Sequence, residues 1–180
     1  MLLERAGPSV EELGMTFPLE EHLRAAHAMP QLRKLFIWGD FMKIEAQPPV
    51  LPPLPPAHGL RWLKAWSLPR PTLQSLLQAH AHSLEELHLM VGPAAPADRP
   101  QLAARIWPVV CSDLDTLLGW CGLRALRRLV LRRKGYWHTT ADCLLQRQAV
   151  RSALPGVEVL CCDCGDACGE GNGLFSLSPI

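Results

Sequence analysis

The residues with the clearest chemical potential are the cysteines of one short run near the end of the chain. The run Cys161–Cys168 reads CCDCGDAC and holds four of the seven cysteines. The thiolates of Cys162, Cys164 and Cys168 could bind zinc, with the carboxylate of Asp166 or a distant histidine as the fourth ligand. Such a ligand set would make this run a metal site.

Two alternatives stay open for these cysteines. Paired C-x-x-C knuckles are absent from the sequence, and small buried thiols are common in protein cores. The residue types therefore favour structural thiols, and we predict no metal and no cofactor. Redox pairing of Cys164 with Cys168 is the other alternative. A Cys-rich metal- or redox-responsive module centred on Cys161–Cys168 is kept as the second functional hypothesis.

Motifs of catalysis are not found elsewhere in the sequence. Its histidines form no H-E-x-x-H pair, and it contains no G-x-x-x-x-G-K-[ST], G-x-G-x-x-G or G-x-S-x-G motif. His80 and His82 lie near the end of a predicted helix, where a cation would oppose the negative carbonyl terminus, so we interpret them as capping residues. No catalytic residue is assigned, and we predict that the chain is not an enzyme.

The elements that would hold these residues follow from a nine-residue apolar template that recurs five times. In each copy an apolar residue and two variable residues precede the pattern L-x-x-L-x-L, with conservative replacements. Self-similarity of this kind is typical of a solenoid, in which each unit buries its apolar face against its neighbours. The copies begin at Met29, Ala57, Ala81, Leu123 and Leu154.

Each copy predicts a short β-strand, because the L-x-L alternation has period two and points the leucines to one face. The first template leucines of successive copies are 28, 24, 42 and 31 residues apart. Helical patterns lie between the strands, over residues 18–27, 72–80, 112–120 and 140–150. Ser112 and Thr140 are the predicted N-caps of the last two helices. Sequential crossovers then predict an α/β fold with a curved parallel sheet lined by helices.

Two segments rich in proline interrupt the repeats. Residues 47–56 predict a stiff, extended connector, interpreted as a spacer inside the second repeat, with a ligand for an aromatic-grooved proline-binding domain as the alternative. Residues 91–111 are interpreted as an inserted surface loop, with a degenerate extra repeat as the alternative. The predicted organisation is an N-terminal cap or flexible lead over 1–17, a repeat domain over 18–164 and a flexible tail over 165–180.

The variable positions of the template form the predicted working surface. Strand alternation sends the third, fifth and seventh positions to the face opposite the leucines. Aromatic residues collect there in the first two copies and arginines in the fourth, and Trp and Arg are the types most often found at binding hot spots. The candidate partner-binding residues are Lys34, Phe36, Trp38, Trp62, Lys64, Trp66, Glu86, His88, Arg128 and Arg132.

The same alignment predicts which side chains of the fifth copy face the core, and it leaves alternatives for the exposure of two tryptophans and for the register of the second copy. Val159 and Cys161 are expected on the variable face, and Cys162 at an inward position. Trp38 and Trp66 are expected to face solvent, or alternatively to pack under the proline-rich connector as core. A slip of one residue in the second copy would exchange its buried and exposed side chains.

Composition and charge exclude several classes of protein. Of the 180 residues 48% are apolar, so the chain can bury a core, and a net charge of +1 argues against a dedicated nucleic-acid binder. The basic run from Arg124 to Lys134 is interpreted as a solvated strand flank, with an acidic partner or an RNA backbone as the alternative. No apolar run approaches the roughly 20 residues of a membrane span, and no secretory signal is visible. We predict a cytoplasmic or nuclear protein with reduced cysteines, and neither nucleic acid nor membrane as a partner.

The template resembles the repeats of leucine-rich repeat proteins. Its longer, helix-containing units are similar to those of the F-box/leucine-rich-repeat proteins, the substrate-recognition subunits of cullin-type ubiquitin ligases, although no F-box is visible in this chain. The resemblance implies a leucine-rich repeat solenoid with helices on the convex side, a protein partner on the concave face, and a cullin-ligase adaptor as a further partner. The residues that carry it are Leu32, Leu35, Ile37, Leu60, Leu63, Leu84, Leu87, Leu89, Leu126, Leu129, Leu131, Val157 and Leu160.

Overall fold

The computed structural model of the chain describes six stretches of sequence. They are residues 9–39, 51–52, 54–55, 58–94, 107–133 and 138–169. Much of the predicted proline-rich connector at 47–56, most of the predicted insertion at 91–111, and the tail beyond residue 169 lie outside the described residues, as does Lys134 of the basic run.

The described residues form an α/β fold around one parallel sheet of six strands. The strands follow one another across the sheet in chain order, and every neighbouring pair is parallel. They are β1 (Glu12–Thr16), β2 (Lys34–Trp38), β3 (Trp62–Trp66), β4 (Glu86–Val91), β5 (Arg128–Arg133) and β6 (Glu158–Cys161). The described α-helices are α1 (Glu20–His27), α2 (Arg70–Ala79), α3 (Leu114–Trp120) and α4 (Thr140–Ala153), and a short 3-10 helix follows at Cys162–Cys164.

The core is built from the alternate strand positions that the template predicted. In β2 to β5 the middle template residues pair in register, so that Leu63 lies between Leu35 and Leu87, and Leu129 continues the row. All of these side chains are almost completely buried. Burial of one leucine contributes about 1.5–3 kcal/mol, so each row stabilises the sheet substantially. The predicted strands of the first four copies are confirmed, and Ala65 is also buried in the core, so the second copy does not slip.

The fifth copy was aligned one residue out of register. The structure pairs Val159 with Leu129 and Cys161 with Leu131, so both side chains enter the core instead of the variable face. Cys162, predicted to point inward, is half-buried and follows the strand. One residue separates Val157 from the core residue Val159, whereas two separate Leu126 from Leu129, its partner in β5. A shift of one residue exchanges the two faces of a strand.

Among the strands of the described residues, β1 is one that the template did not predict. Strand β1 lies within residues 1–17, which the sequence analysis treated as a cap or flexible lead, and it pairs along its whole length with β2. Leu13 and Met15 alternate along it and pack against the core from a partly exposed edge. Two apolar residues in alternation are therefore enough to add a strand when a neighbouring strand supplies the hydrogen bonds.

All four predicted helices are present, with shifted ends. The N-cap of α4 is Thr139 rather than Thr140, and its side chain accepts a hydrogen bond from the backbone N–H of Asp142 at 3.1 Å. Asp113 rather than Ser112 precedes α3, without a side-chain cap. Within the described stretches, no helix has both the length and the apolar character needed to cross a membrane.

A chain of hydrogen bonds through two buried histidines joins α1 to α2. The N–H of Leu60 donates to Nδ1 of His80 at 3.2 Å, Nε2 of His80 lies 3.4 Å from Nδ1 of His27, and Nε2 of His27 lies 2.8 Å from the carbonyl oxygen of Pro52. A single proton on Nε2 of each ring satisfies all three contacts. Burial, then the charges of His27 and His82, lower the pKa of His80 to about 3. The prediction of a cationic cap is therefore wrong for His80, because it is neutral and 3% exposed.

Candidate functional site

The ten candidate partner-binding residues lie on the side of the sheet opposite the leucine core. We call this set the variable face: Lys34, Phe36, Trp38, Trp62, Lys64, Trp66, Glu86, His88, Arg128 and Arg132. Strand register arranges them in rows, so that Trp62 lies between Lys34 and Glu86, and Lys64 lies between Phe36 and His88. The parallel sheet therefore brings together side chains that are far apart in the sequence.

Aromatic side chains occupy the half of the variable face formed by β2 and β3. Trp66 packs edge-on against Phe36 and Trp38, with ring centroids 5.5 Å and 5.3 Å apart. The ammonium group of Lys64 lies 4.4 Å from the centroid of Trp66 and 5.4 Å from that of Phe36. These distances are typical of aromatic pairs and of cation–π contacts, so the four side chains form one packed cluster.

Packing within this cluster changes the predicted exposure of two aromatic residues. Phe36 is 2% exposed and Trp66 is 4% exposed, whereas Trp38 and Trp62 are half-buried. Of the two alternatives for Trp66, exposure to solvent and burial, the structure therefore has the buried one, because neighbouring rings pack against it. Phe36, expected on the variable face, is buried in the same packing. Within the described part of the chain, the buried Nε1 of Trp66 has no hydrogen-bond partner.

Charged residues occupy the other half of the variable face. Arg128 lies between two carboxylates, 3.8 Å from Glu86 and 3.4 Å from Glu158, and donates to the carbonyl oxygen of Cys168 at 2.8 Å. Arg132 lies 3.9 Å from Asp163. The arginines are thus held by partners within the protein, and their side chains are positioned before any ligand arrives.

His88 joins the aromatic half to the charged half. Its ring lies 5.2 Å from that of Trp62, and its Nε2 is 2.6 Å from a carboxylate oxygen of Glu86. Burial lowers the pKa of His88 despite the opposing effect of Glu86. At neutral pH the ring is therefore an uncharged donor to Glu86, and it supports the flank of Trp62 without adding a positive charge.

A second constellation lies at the carboxyl ends of β5 and β6. His138 precedes α4, Cys143 lies in the first turn of that helix, Cys161 ends β6, and Cys164 follows in the 3-10 helix. The four potential ligand atoms all lie within 4.8 Å of one another. Nε2 of His138 is 3.3 Å from Sγ of Cys164 and 3.9 Å from Sγ of Cys161. We call these four residues the Cys–His cluster.

Arg133 is the charged residue that borders the Cys–His cluster. Its Nη2 donates to Sγ of Cys143 at 2.8 Å, and its Nη1 contacts the side chain of Gln146. Burial raises the pKa of the Cys143 thiol, and burial raises that of Cys164 to about 12. Burial also opposes ionisation of Cys161, but the hydrogen bond and charge of Arg133, together with hydrogen bonds from Cys143 and Cys164, outweigh it, so the pKa of Cys161 is lowered.

The remaining cysteines of the run Cys161–Cys168 pair with each other. Cys162 and Cys168 form a disulfide, with their Cα atoms 5.6 Å apart. The predicted redox pair of Cys164 and Cys168 is therefore wrong, as is the expectation that all seven cysteines are reduced. The predicted ligand set of Cys162, Cys164 and Cys168 is also not assembled, because only Cys164 of the three belongs to the cluster.

Sequence reasoning did not assign His138, Cys143 or Cys161 to a ligand set, although signals for these three residues exist. Cys161 and Cys164 form a single C-x-x-C, without the second such pair of a paired knuckle, and His138 and Cys143 are separated by four residues. Both spacings are typical of zinc-ligand pairs. The template assigned Cys161 to a strand, and this hid its relation to Cys164.

The arrangement offers two kinds of chemistry, recognition on the variable face and ligation at the Cys–His cluster. The face combines packed rings with fixed charges, whereas the cluster gathers three thiols and an imidazole. Comparison with protein-family models, with curated proteins and with solved structures gives no match. Function is therefore inferred from these two surfaces.

Proposed function

We propose that this chain is a protein-interaction module of the leucine-rich repeat type, and that its variable face binds a protein partner. The observation that carries the proposal is the register of β2 to β5. It aligns the variable positions of successive copies in straight rows, with an aromatic cluster at one end and arginines at the other. Packed aromatic residues beside fixed arginines are the composition typical of binding hot spots.

The expected partner is a protein segment that combines an apolar side chain with a carboxylate. Trp38 and Trp62 are half-buried, so an apolar group that covered them would bury further aromatic surface. The ammonium of Lys64 lies over the rings of Trp66 and Phe36, so a carboxylate of the partner that approached these rings would meet a positive charge. The arginines already have carboxylate partners within the protein and would chiefly set orientation.

The solenoid form of the fold is part of the same proposal. Strands in chain order, joined by helices such as α2 and α4, are what successive repeat units produce. In that form the sheet would curve with its helices outside, and the variable face would be concave. The resemblance to F-box/leucine-rich-repeat proteins supports a finer proposal, that this face recognises substrates of a cullin-type ubiquitin ligase; it rests on the repeats alone.

The test is affinity purification of the tagged chain from cells, with quantitative mass spectrometry of the proteins retained by each variant. Trp62→Ala and Lys64→Glu are expected to reduce a specific partner at least tenfold. The matched controls are Trp120→Ala, on the exposed end of α3, and Arg124→Glu, in the exposed turn before β5. These controls should retain the partner.

Four outcomes decide between the proposals, two for the variable face and two for the ligase. A partner that is lost in the two face variants and retained in both controls supports the recognition function. A partner that is lost with Trp120→Ala and retained with Trp62→Ala would move the binding site to the helical side and overturn the assignment of the face. Cullin and its adaptor among the retained proteins would support the ligase proposal, and a reproducible partner without them would refute it.

A further inference from the structure

We propose that His138, Cys143, Cys161 and Cys164 form a zinc-binding site. The proposal rests on the Cys–His cluster and does not depend on the function of the variable face. Its four residues come from the segment before α4, from α4, from β6 and from the 3-10 helix. The fold brings them together, since 17 residues separate Cys143 from Cys161 in the sequence.

The distances within the cluster fit a tetrahedral ion. Bonds of about 2.3 Å from zinc to sulfur and about 2.0 Å to nitrogen place the ligand atoms of a tetrahedron about 3.5–3.8 Å apart. The distances of 3.3 Å and 3.9 Å from Nε2 of His138 to Sγ of Cys164 and of Cys161 lie on either side of this range. All other pairs lie within 4.8 Å, so contraction of about 1 Å would complete the coordination shell.

The ligand types indicate zinc and a structural site. Three thiolates and one imidazole are a set that structural zinc sites use, and four protein ligands leave no position for water or substrate. Soft sulfur ligands also disfavour magnesium and calcium, which take oxygen ligands. The site is therefore expected to hold zinc permanently and to carry out no reaction.

Arg133 supplies the charge that such a site needs. Zinc with three thiolates has a net charge of −1, and the guanidinium group already donates to Sγ of Cys143 at 2.8 Å. The backbone N–H of Arg133 donates to Asp163 at 2.8 Å, which holds the residue against the segment between Cys161 and Cys164. Hydrogen bonds of this kind to metal-bound sulfur orient the ligands and stabilise the bound ion.

The position of the site gives it a role in the fold. Strand β6 lies at the edge of the sheet and pairs only with β5 among the described strands. An ion bound by the end of β6, the start of α4 and the segment before α4 would fasten this edge to the rest of the molecule. The disulfide between Cys162 and Cys168 uses neither of the ligand cysteines of the run.

The first experiment measures zinc in the full chain purified without chelators. Elemental analysis is expected to give one zinc per chain, and exchange with Co²⁺ should give the visible bands of tetrahedral cobalt together with a thiolate charge-transfer band in the near ultraviolet. Absence of zinc in the purified chain, combined with no tetrahedral cobalt spectrum after addition of Co²⁺, would overturn the proposal.

Substitutions locate the ion within the chain. Cys164→Ser and His138→Gln are expected to lower zinc content or weaken zinc binding at least tenfold. The matched control is the double variant Cys162→Ser/Cys168→Ser, which changes two cysteines of the same run outside the cluster and should keep one zinc per chain. Zinc that is lost in this double variant and retained in Cys164→Ser would assign the ion to a different set and refute the site.

A measurement on the unsubstituted chain avoids the risk that a variant fails to fold. Alkylation followed by peptide mass spectrometry compares each thiol with and without Zn²⁺ under conditions where the chain stays folded. Zn²⁺ should slow alkylation of Cys164, the most exposed thiol of the cluster, at least tenfold and leave Cys121 unchanged. Equal alkylation of Cys164 in both samples would contradict the proposal.

Discussion

At the scale of single residues, Arg147 is the most buried of the arginine, lysine, aspartate and glutamate side chains among the described residues. Its side chain is 8% exposed and forms an ion pair of 2.6 Å with Asp166. It also donates to the carbonyl oxygen of Val159 at 3.0 Å, and Asp166 accepts a further hydrogen bond from the N–H of Cys161. The pair therefore ties the loop after β6 to α4, and removal of one partner would leave a buried charge without its counterion.

The Asp166→Ala variant is expected to lower the free energy of unfolding by about 3 kcal/mol, the lower end of the cost of breaking a buried pair, because Asp166 is itself partly exposed. Urea unfolding measures it, with zinc content held constant in all variants. Asp166→Ala leaves the charge of Arg147 without a counterion, and Arg147→Met removes that charge. The double variant should therefore lose less free energy of unfolding than the sum of the losses in the two single variants. If the loss in the double variant equalled the sum of the losses in the single variants, the interaction between Arg147 and Asp166 would contribute nothing to stability.

Single residues also show why the Cys–His cluster was only half visible in the sequence. The cysteine run was recognised as the place for metal chemistry, and Cys164 is part of the cluster. His138 and Cys143 join it only because α4 packs beside β6, and a pattern of one-dimensional spacing does not contain that contact. The disulfide of Cys162 with Cys168 likewise follows from the turn after β6, which brings their Cα atoms to 5.6 Å.

At the scale of elements, the start of α4 depends on one cap. Thr139→Ala is expected to lower the free energy of unfolding by about 1 kcal/mol, because the N–H of Asp142 loses its acceptor. Thr140→Ala tests the alternative N-cap suggested by the sequence, and should change stability by less than about 0.5 kcal/mol, since Thr140 is exposed inside the helix. Chemical denaturation measures both, and equal costs would contradict the assignment of Thr139.

The contact between α1 and α2 predicts a dependence of stability on pH. The pKa of His80 is about 3 in the folded chain and about 6.5 when unfolded, so the unfolded state binds the additional proton. Above pH 6.5 the titration of this group does not change the free energy of unfolding. As the pH falls from 6.5 towards 3, the free energy of unfolding decreases by up to about 1.4 kcal/mol per pH unit for this one group. Burial lowers the pKa of His27 as well, which acts in the same direction.

Urea unfolding at a series of pH values between 7.5 and 4 tests this dependence. His80→Leu should be destabilised at pH 7.5, because the N–H of Leu60 loses its acceptor, and should show a shallower slope below pH 6.5. The comparison variant is His82→Gln, which removes an exposed side chain whose charge lowers the pKa of His80 less than burial and His27 do. It should therefore keep most of the slope of the unsubstituted chain. A slope unchanged by His80→Leu would assign the pH dependence to other groups.

A strand could be predicted from the sequence where its apolar pattern allowed only one register. In β4 the polar residues Glu86 and His88 alternate with Leu87 and Leu89, so only one register buries the leucines, and this strand was placed correctly. In the fifth copy Val157, Val159, Leu160, Cys161 and Cys162 are all apolar, so two registers bury equally good residues. The length of the preceding turn decides between them, and no periodicity encodes that length.

At the scale of the whole molecule, the stacking of strands in chain order predicts an uneven distribution of stability. Strand β4 has neighbours on both sides and leucines that are completely buried, whereas β1 lies at an edge with a partly exposed apolar side. Local opening starts where few apolar contacts hold the backbone, and central elements open only when the whole unit unfolds. The central rows of leucines therefore set the global stability.

Hydrogen exchange followed by mass spectrometry tests this distribution, with peptides that cover β1, β4 and β6. We expect amides of β1 to exchange fastest and those of β4 slowest, with β6 gaining protection when Zn²⁺ is bound.

Leu87→Ala should lower the free energy of unfolding by about 2–5 kcal/mol and accelerate exchange in all three peptides, because it leaves a cavity in the central row. Leu13→Ala should accelerate exchange in β1 while leaving β4 unchanged, since its side chain packs at the edge. If Leu87→Ala accelerated exchange in β4 alone, the strands would not unfold as one cooperative unit, and repeats that open independently would replace the picture of a single core.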